Sequence, residues 1–208
     1  MTSNYDNSAI FYDRLSRLVF GDALVKAQIY LLRFVPPNSS VLIVGGGTGW
    51  ILEELSAIHY SGLQITYVEI SSQMTALAKK RFTGINKVTY INEAIENTTL
   101  NTLYDVLITP FLLDNFTEDT LQKTFSHMHH QLKPKGLWLC ADFQITGGLW
   151  QKVMLKTMYL LFKIVCRIET LKMPNIEAQF VKYRYRPLKS KTFYGDFMIS
   201  RTWEKVGE

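Results

Sequence analysis

The feature that most constrains the fold of this chain is a glycine-rich loop that joins an apolar run to a helix-like segment. The run is Val41–Val44, and the loop after it consists of Gly45, Gly46, Gly47, Thr48 and Gly49. A short apolar run bounded by glycine is typical of a buried parallel strand, and glycine lets a ligand approach the main chain. Since the first N–H groups of the next helix have no partner within it, the segment predicts a parallel α/β sheet with a ligand at this loop.

Strand-like and helix-like segments alternate along the chain. Helix-like residues 7–35 come first, with Asp22 as the predicted N-cap of a second helix. Five strand-like segments follow, the last after a turn at Pro134–Gly136, and they lie at 41–44, 64–70, 87–91, 104–109 and 136–143. Helix-like segments cover 49–59, 72–82, 118–132 and 149–168, and the runs 186–194 and 196–204 predict a hairpin. We therefore predict an α/β fold with a doubly wound, mostly parallel, seven-stranded, Rossmann-like sheet, an antiparallel C-terminal hairpin and N-terminal helices.

The loop and the second strand narrow the choice of ligand. A dinucleotide fingerprint needs its third glycine at the position of Trp50, where an indole would crowd the helix–strand packing. The Gly-Lys-Ser/Thr of a phosphate-binding P-loop is absent. Glu69 lies 20 residues after Gly49, at the end of the second strand, where a carboxylate accepts both hydroxyls of a ribose. The sequence therefore favours a ribose-containing ligand other than a nicotinamide or flavin dinucleotide.

Five segments, in order, resemble the motifs of the class I S-adenosylmethionine (SAM)-dependent methyltransferases. The resemblance covers about residues 36–145 well and is carried by VLIVGGGTGW, TYVEIS, YINEAIEN, YDVLITPFLLDNF and LKPKGLWLCADF. It implies SAM as the cofactor. One departure is Ile43, which stands where the family commonly has an acidic residue near the methionine end. That end would then be held by backbone carbonyls or the N-terminal helix, or the ligand would be a decarboxylated or other adenosyl compound.

The resemblance also implies a role for individual residues. Glu69 would bind the ribose, Ile70 would pack on the adenine, and Glu93 would accept from the adenine amino group. The implied cofactor-binding residues are Gly45, Gly46, Gly47, Thr48, Gly49, Glu69, Ile70, Glu93, Ala94, Thr109 and Pro110. No catalytic residue is assigned.

The residues predicted to bind the methyl acceptor come from the N-terminal segment and from the loop after the fourth strand-like segment. NSAIFYDRLSRLVFG is similar to the N-terminal helices of the ubiquinone/menaquinone-biosynthesis group of the family, in which a Tyr-Asp segment folds over the cofactor. The predicted acceptor pocket consists of Tyr12, Phe111, Asp114 and Asn115. Alternatively, Tyr12 packs between helices, and Asp114 and Asn115 merely form a turn. The predicted organisation is a helical cap at 1–35 and a SAM-binding methyltransferase domain at 36–208, with a helical cover at 147–185.

Charge is distributed unevenly, with a net charge of −2 in residues 1–150 and +7 in residues 151–208. One stripe of the helix-like segment 149–168 carries Lys152, Lys156, Lys163 and Arg167. Such a stripe is typical of peripheral contact with an anionic membrane, or of a solvated face on a helix that packs against the sheet. The basic residues at 182–191 favour a protected sheet edge over an RNA site, so nucleic acid is disfavoured as a partner.

The cysteines and the first residues bear on the cellular compartment, and the histidines bear on metal binding. Cys140 and Cys166 are the only cysteines, and the first residues do not resemble a secretory leader, which predicts a cytoplasmic protein. The histidines at 127, 129 and 130 fall on a helix away from the ligand edge, so we expect a solvated helix face there and no metal site. The oligomeric state is left open.

The resemblance implies direct, in-line transfer of a methyl group from SAM to a small acceptor, and the apolar residues of 149–168 suggest a lipophilic one. One alternative is a non-catalytic adenosyl-ligand-binding or membrane-associated protein of the same fold. Another is an aminopropyltransferase, which is disfavoured because Thr109–Pro110 supplies no acidic residue to bind and deprotonate an amine.

Overall fold

The computed structural model describes residues 19–165 and 172–207. Its strands are β1 Ser40–Val44, β2 Gln64–Val68, β3 Lys87–Ile91, β4 Tyr104–Pro110, β5 Leu132–Phe143, β6 Tyr185–Phe193 and β7 Met198–Lys205. Its helices are α1 Ala23–Leu32, α2 Trp50–Ile58, α3 Ser72–Ala78, α4 Glu118–Gln131, α5 Leu149–Val165 and α6 Ile176–Lys182. Tyr12, Cys166 and Arg167 lie outside the described residues, as does the side chain of Lys163.

The strands form one seven-stranded sheet in the order β3-β2-β1-β4-β5-β7-β6. The first five strands pair in parallel, and β7 pairs antiparallel with both β5 and β6. This arrangement confirms the predicted sheet and its terminal hairpin. The chain order reverses between β1 and β4, and the loops after these two strands therefore flank a crevice at the carboxyl edge, the usual ligand position in such folds.

The core occupies both faces of the sheet, because successive side chains of a strand point to opposite faces. Ile43 packs with Leu31 of α1 and Leu55 of α2 on one face. Its neighbour Leu42 packs with Phe125 of α4 on the other. A central strand buried on both sides explains why β1 reads as a continuous apolar run.

The C-terminal hairpin, β6 and β7, packs against α1 and the residues just before it. The Ser200 hydroxyl on β7 donates to the Ala27 carbonyl of α1 at 2.7 Å, and Phe20 packs on Phe143 and Phe197 at ring-centroid distances of 5.6 and 6.3 Å. These contacts anchor α1 and Phe20 near the carboxyl end of β5.

Three local predictions differ from the structure. β5 begins at Leu132, because residues 134–136, predicted as a turn, continue the strand through an irregularity with Lys135 at φ 62°. The helix predicted over 72–82 is shorter, with α3 ending at Ala78. Asp22 does precede α1, but its side chain makes no capping hydrogen bond.

Candidate ligand-binding crevice

The glycine loop closes the crevice from the β1 side. Gly45 has φ +68° and donates its N–H to the Val68 carbonyl at 2.9 Å, which ties the loop to the end of β2. A Cβ on Gly45 would lie 2.9 Å from Cδ1 of Leu112, in the loop after β4. The loops after β1 and β4 are therefore in direct contact at the point where the strand order reverses.

Two other glycines of the loop are required by packing within the protein. A Cβ on Gly46 would lie 2.6 Å from Cζ of Tyr67, and one on Gly49 would lie 2.6 Å from Cα of Ala78 in α3. Gly49 also has φ +80° and immediately precedes α2. The close approach of α2 to α3 therefore depends on Gly49. The following position does not have to be glycine for this packing, and Trp50 occupies it.

Gly47 is different, because the space beside it is open. Its φ is +64°, and the nearest atom to an added Cβ is Sδ of Met74 at 3.9 Å. Its carbonyl accepts a hydrogen bond from the Tyr67 hydroxyl at 2.9 Å, and its N–H donates to Oε2 of Glu69 at 3.0 Å. The loop backbone is thus fixed on one side and unobstructed on the other.

Glu69 stands at the end of β2 with its carboxylate against the glycine loop. It is 5% exposed, and besides the Gly47 N–H it accepts the Ser71 N–H at 3.0 Å. The structure therefore places a fixed acceptor beside Gly47, and its contact with ribose hydroxyls stays a prediction.

The residues predicted to contact adenine lie at the ends of β2 and β3. Ile70 is an apolar side chain that is 37% exposed at this edge, whereas Ala94 is buried and Glu93 is exposed. The Asn92 amide donates to the carbonyls of Glu69 and Ile70 at 2.8 and 3.0 Å. Sequence analysis missed Asn92, although a polar residue directly after a strand was a usable signal.

The loop after β4 partly departs from prediction. The Thr109 hydroxyl is fully buried and accepts the indole N–H of Trp138 at 2.9 Å, so this side chain belongs to the core rather than to the crevice. Pro110 is buried as the last residue of β4. Phe111 follows at φ 53° and donates its N–H to the Ala141 carbonyl at 2.7 Å.

Asp114 and Asn115, which were predicted to line the pocket for the methyl acceptor, are hydrogen-bonded to each other. The Asn115 amide donates to Oδ1 of Asp114 at 3.0 Å and to the Phe111 carbonyl at 3.1 Å. Asp114 is buried and meets a second buried carboxyl, Asp142, at the end of β5. Asp142 was missed because in the sequence it is one polar residue inside an apolar strand.

Aromatic side chains cover the crevice edge on the β5 and β7 side. Phe143 packs against Phe111 and Phe197 with ring centroids 5.2 and 5.1 Å apart. Trp150, at the start of α5, packs against Phe197 at 5.6 Å and Tyr194 at 6.2 Å. An aromatic cluster therefore lies next to Phe111, one of the residues predicted to form the acceptor pocket.

The outer face of α5 mixes cationic and apolar side chains. Its buried face includes Leu155, Met158 and Tyr159. Among the side chains described at 149–160, the exposed ones are Leu149, Trp150, Lys152, Val153, Lys156, Thr157 and Leu160, most of them at helical spacing. The lysines therefore share the solvent face with three large aliphatic residues, rather than facing away from the apolar ones. No helix in the described parts of the chain is long and apolar enough to cross a membrane.

The histidine-rich end of α4 is only partly solvated, contrary to prediction. His129 is buried and bonds through Nδ1 to the Tyr185 hydroxyl at 3.1 Å. Burial and the neighbouring Lys205 lower the pKa of His129 to about 4. His130 is exposed. Across residues 19–165 and 172–207, no three His, Cys, Asp or Glu residues are grouped so that they can hold a metal ion.

Comparisons with known proteins agree with this architecture. A family described as a methyltransferase domain matches residues 41–136. A malonyl-[acyl-carrier protein] O-methyltransferase of Priestia megaterium is 29% identical over 143 residues, which cover 69% of this chain and 51% of the relative. The chain thus spans about half the length of this curated relative.

Solved structures share the fold. A chain in the complex of the Haloferax volcanii Trm112 methyltransferase activator with a putative methyltransferase matches with a TM-score of 0.73 at 12% identity, covering 99% of both chains. The N-methyltransferase NodS of Bradyrhizobium japonicum, in complex with S-adenosyl-l-homocysteine, matches with a TM-score of 0.66 at 11% identity, covering 87% of this chain and 86% of that one.

Proposed function

We propose that this chain, in which residues 41–136 match a methyltransferase domain, is a class I SAM-dependent methyltransferase that transfers a methyl group from SAM to a small acceptor. The observation that carries the proposal is the crevice between the loops after β1 and β4, with open backbone at Gly47 and the Glu69 carboxylate beside it. Each loop that lines it follows a parallel strand, so the site is held by the sheet.

The residues of the crevice fit an adenosyl cofactor. Open space at Gly47 admits a ligand to the backbone, Glu69 offers its carboxylate to ribose hydroxyls, and Ile70 offers an exposed apolar surface to adenine. Ile43 is fully buried in the core, so the methionine end must be held by other groups, for which the loop backbone is our proposal. The S-adenosyl-l-homocysteine in NodS supports this choice of ligand.

When bound, SAM supplies an electrophilic methyl group on a positively charged sulfur. The leaving group is neutral, so the protein mainly has to align the two reactants and exclude water. We propose that Phe111 and the aromatic cluster around Phe143 border the acceptor, while the Asp114–Asn115 turn fixes the loop that presents it. An aromatic border favours a lipophilic acceptor.

The relative from Priestia megaterium is named for methylation of a malonyl group on an acyl carrier protein. A carboxylate or thioester-bound acyl group is therefore one acceptor class to test, beside free lipophilic phenols and amines. The proposed location is cytoplasmic.

Two measurements test the proposal. Calorimetric titration with SAM, S-adenosyl-l-homocysteine and decarboxylated SAM should show which adenosyl ligand binds, with NAD as the negative control. Transfer of labelled methyl from SAM should then be measured with malonyl-acyl carrier protein and with lipophilic cell extract. Binding without transfer to any acceptor would favour a non-catalytic adenosyl-ligand binder, and no binding of any adenosyl ligand would contradict the proposal.

We also propose that the outer face of α5 contacts an anionic membrane surface. Lys152 and Lys156 supply cations, and Leu149, Val153 and Leu160 supply exposed apolar surface that can enter the headgroup region. Each lysine should add about 1 kcal/mol of attraction to anionic lipid, screened by salt.

Vesicle sedimentation tests this contact. Wild type should sediment with anionic vesicles at low salt and be released at high salt, and the Lys152→Glu/Lys156→Glu variant should lose this binding. The control variant is Lys182→Glu/Lys189→Glu, which makes the same change in net charge at two exposed lysines outside α5. Equal binding by both double variants, or no binding by wild type, would show that the face is merely solvated.

A further inference from the structure

Two carboxyl groups meet beneath α5, at the ends of neighbouring strands. Asp142 belongs to the end of β5, and Asp114 lies in the loop that follows β4. Each is only 3% exposed, and their side chains are hydrogen-bonded to each other. Two carboxylates cannot share a hydrogen bond without a proton, so the pair holds one proton between them.

The Asp142 carboxyl fastens the β4 loop to β5. Its Oδ2 accepts the Leu113 N–H and its Oδ1 accepts the Phe143 N–H, each at 3.0 Å. The same loop contains Phe111, whose φ of 53° is uncommon for a residue with a side chain. The loop therefore contains an unfavourable backbone conformation and is tied to β5 on both sides of it, by the Phe111–Ala141 and Leu113–Asp142 hydrogen bonds.

The groups around the pair do not balance a second negative charge. From α5, the Tyr159 hydroxyl donates to the Asp114 carbonyl at 3.2 Å, and from β5 the buried Cys140 thiol lies nearby. Arg201 of β7, whose charge acts on Cys140, is paired with Glu177 at 2.8 Å. Within the described residues no cation forms an ion pair with Asp114 or Asp142.

We propose that Asp142 is a positioning residue for methyl transfer, which uses the proton shared with Asp114 to hold the β4 loop against the crevice and releases the loop when that proton is lost. The inference rests on the proposed function, because it gives this loop a role at the acceptor side. Leu112 of this loop is the residue nearest to a Cβ on Gly45, so a change in the loop reaches the cofactor side as well.

The electrostatics support this assignment. Burial raises the pKa of Asp114 to about 6. Burial and the charge of Asp114 raise the pKa of Asp142 well above its usual range. Because both shifts are upward, the pair keeps its proton at pH values where an exposed carboxyl is fully ionised, and raising the pH creates a buried charge pair.

Hydrogen–deuterium exchange of the 111–116 segment tests the proposal without an acceptor. After correction for intrinsic exchange, protection in wild type should fall by about tenfold between about pH 5 and about pH 9. Asp142→Asn keeps one oxygen for the Leu113 N–H and offers an amide hydrogen to Asp114, at the loss of the Phe143 contact. Protection of the 111–116 segment in this variant should therefore stay high and independent of pH. Asp142→Ala lacks the acceptor for Leu113, so its protection should be low at every pH. The α4 segment is the internal control.

Affinity for S-adenosyl-l-homocysteine, measured over the same pH range, separates positioning from a purely structural role. Wild type should lose affinity in parallel with loop protection, and Asp142→Asn should lose this dependence. Asp114→Asn provides a second conservative variant if Asp142→Asn does not fold. Unchanged wild-type protection across the range, or the wild-type pH dependence in a folded Asn variant, would overturn the proposal. No affinity at any pH, together with pH-dependent protection, would contradict the proposed function and leave the proton-dependent hold on the loop established.

Discussion

Replacing Gly47 by alanine is the sharpest test of the crevice. Gly47 has φ +64°, and an added Cβ would meet only Sδ of Met74, at 3.9 Å. The backbone bonds from Gly47 to Glu69 and from Tyr67 to Gly47 need no glycine and should survive. The new methyl group would therefore fit the unliganded protein and occupy space that a ligand needs.

Two effects of this substitution can be separated. A side chain in the left-handed region costs about 1–2 kcal/mol, which should lower the free energy of unfolding. The strain is present with and without ligand, so it cancels in the binding equilibrium. Loss of ligand contact does not cancel, and we expect the Kd for S-adenosyl-l-homocysteine to rise at least tenfold, or about 1.4 kcal/mol.

Gly21→Ala is the matched control. Gly21 has φ +54°, is exposed, and has no atom within 4 Å of an added Cβ. Denaturant unfolding should show a similar loss of stability for both variants, while calorimetric titration should show lost affinity for Gly47→Ala alone. If the affinity of Gly47→Ala stays within about twofold of wild type, or about 0.4 kcal/mol, the glycine loop is not the ligand site.

Three further predictions test neighbouring residues. Glu69→Gln should weaken S-adenosyl-l-homocysteine binding at least tenfold, because charge-assisted hydrogen bonds are worth roughly 1.5–3 kcal/mol each; an unchanged Kd in calorimetry would place the ribose elsewhere. Thr109→Val should lower the free energy of unfolding by about 1–3 kcal/mol, because the Trp138 N–H loses its buried acceptor. The same variant should leave the Kd for S-adenosyl-l-homocysteine unchanged. Weaker binding without a loss of stability would instead place Thr109 at the ligand. The stability of wild type relative to Asp142→Asn should fall as pH rises from about 4, because the folded carboxyl pair retains protons that the unfolded chain releases. His129, whose pKa is lowered by burial, contributes the opposite slope to both proteins and cancels in this difference. Equal slopes of the two proteins in denaturant titrations would contradict the proton-sharing pair.

The pattern of the sequence was sufficient to predict the sheet and the place of its ligand edge. Apolar runs such as Val41–Val44 mark strands buried on both faces, and the glycines after them mark a tight turn in which Gly45, Gly46 and Gly49 have no room for a side chain. The position of Glu69 beside the glycine loop followed from its spacing after that loop and its place at the end of the second strand. These signals are local, so they can be read along the chain.

Contacts between distant segments were decided by the tertiary structure. The Thr109 hydroxyl points away from the crevice because alternation along β4 turns it toward Trp138, 29 residues away. Asp114 and Asp142 become a pair only because β4 and β5 are adjacent in the sheet, and their shared burial then favours retaining a proton. Strand order and register thus determined which polar residues form hydrogen bonds in the core and which face the proposed ligand site. Neither is encoded in a local pattern, because both depend on pairing between distant segments.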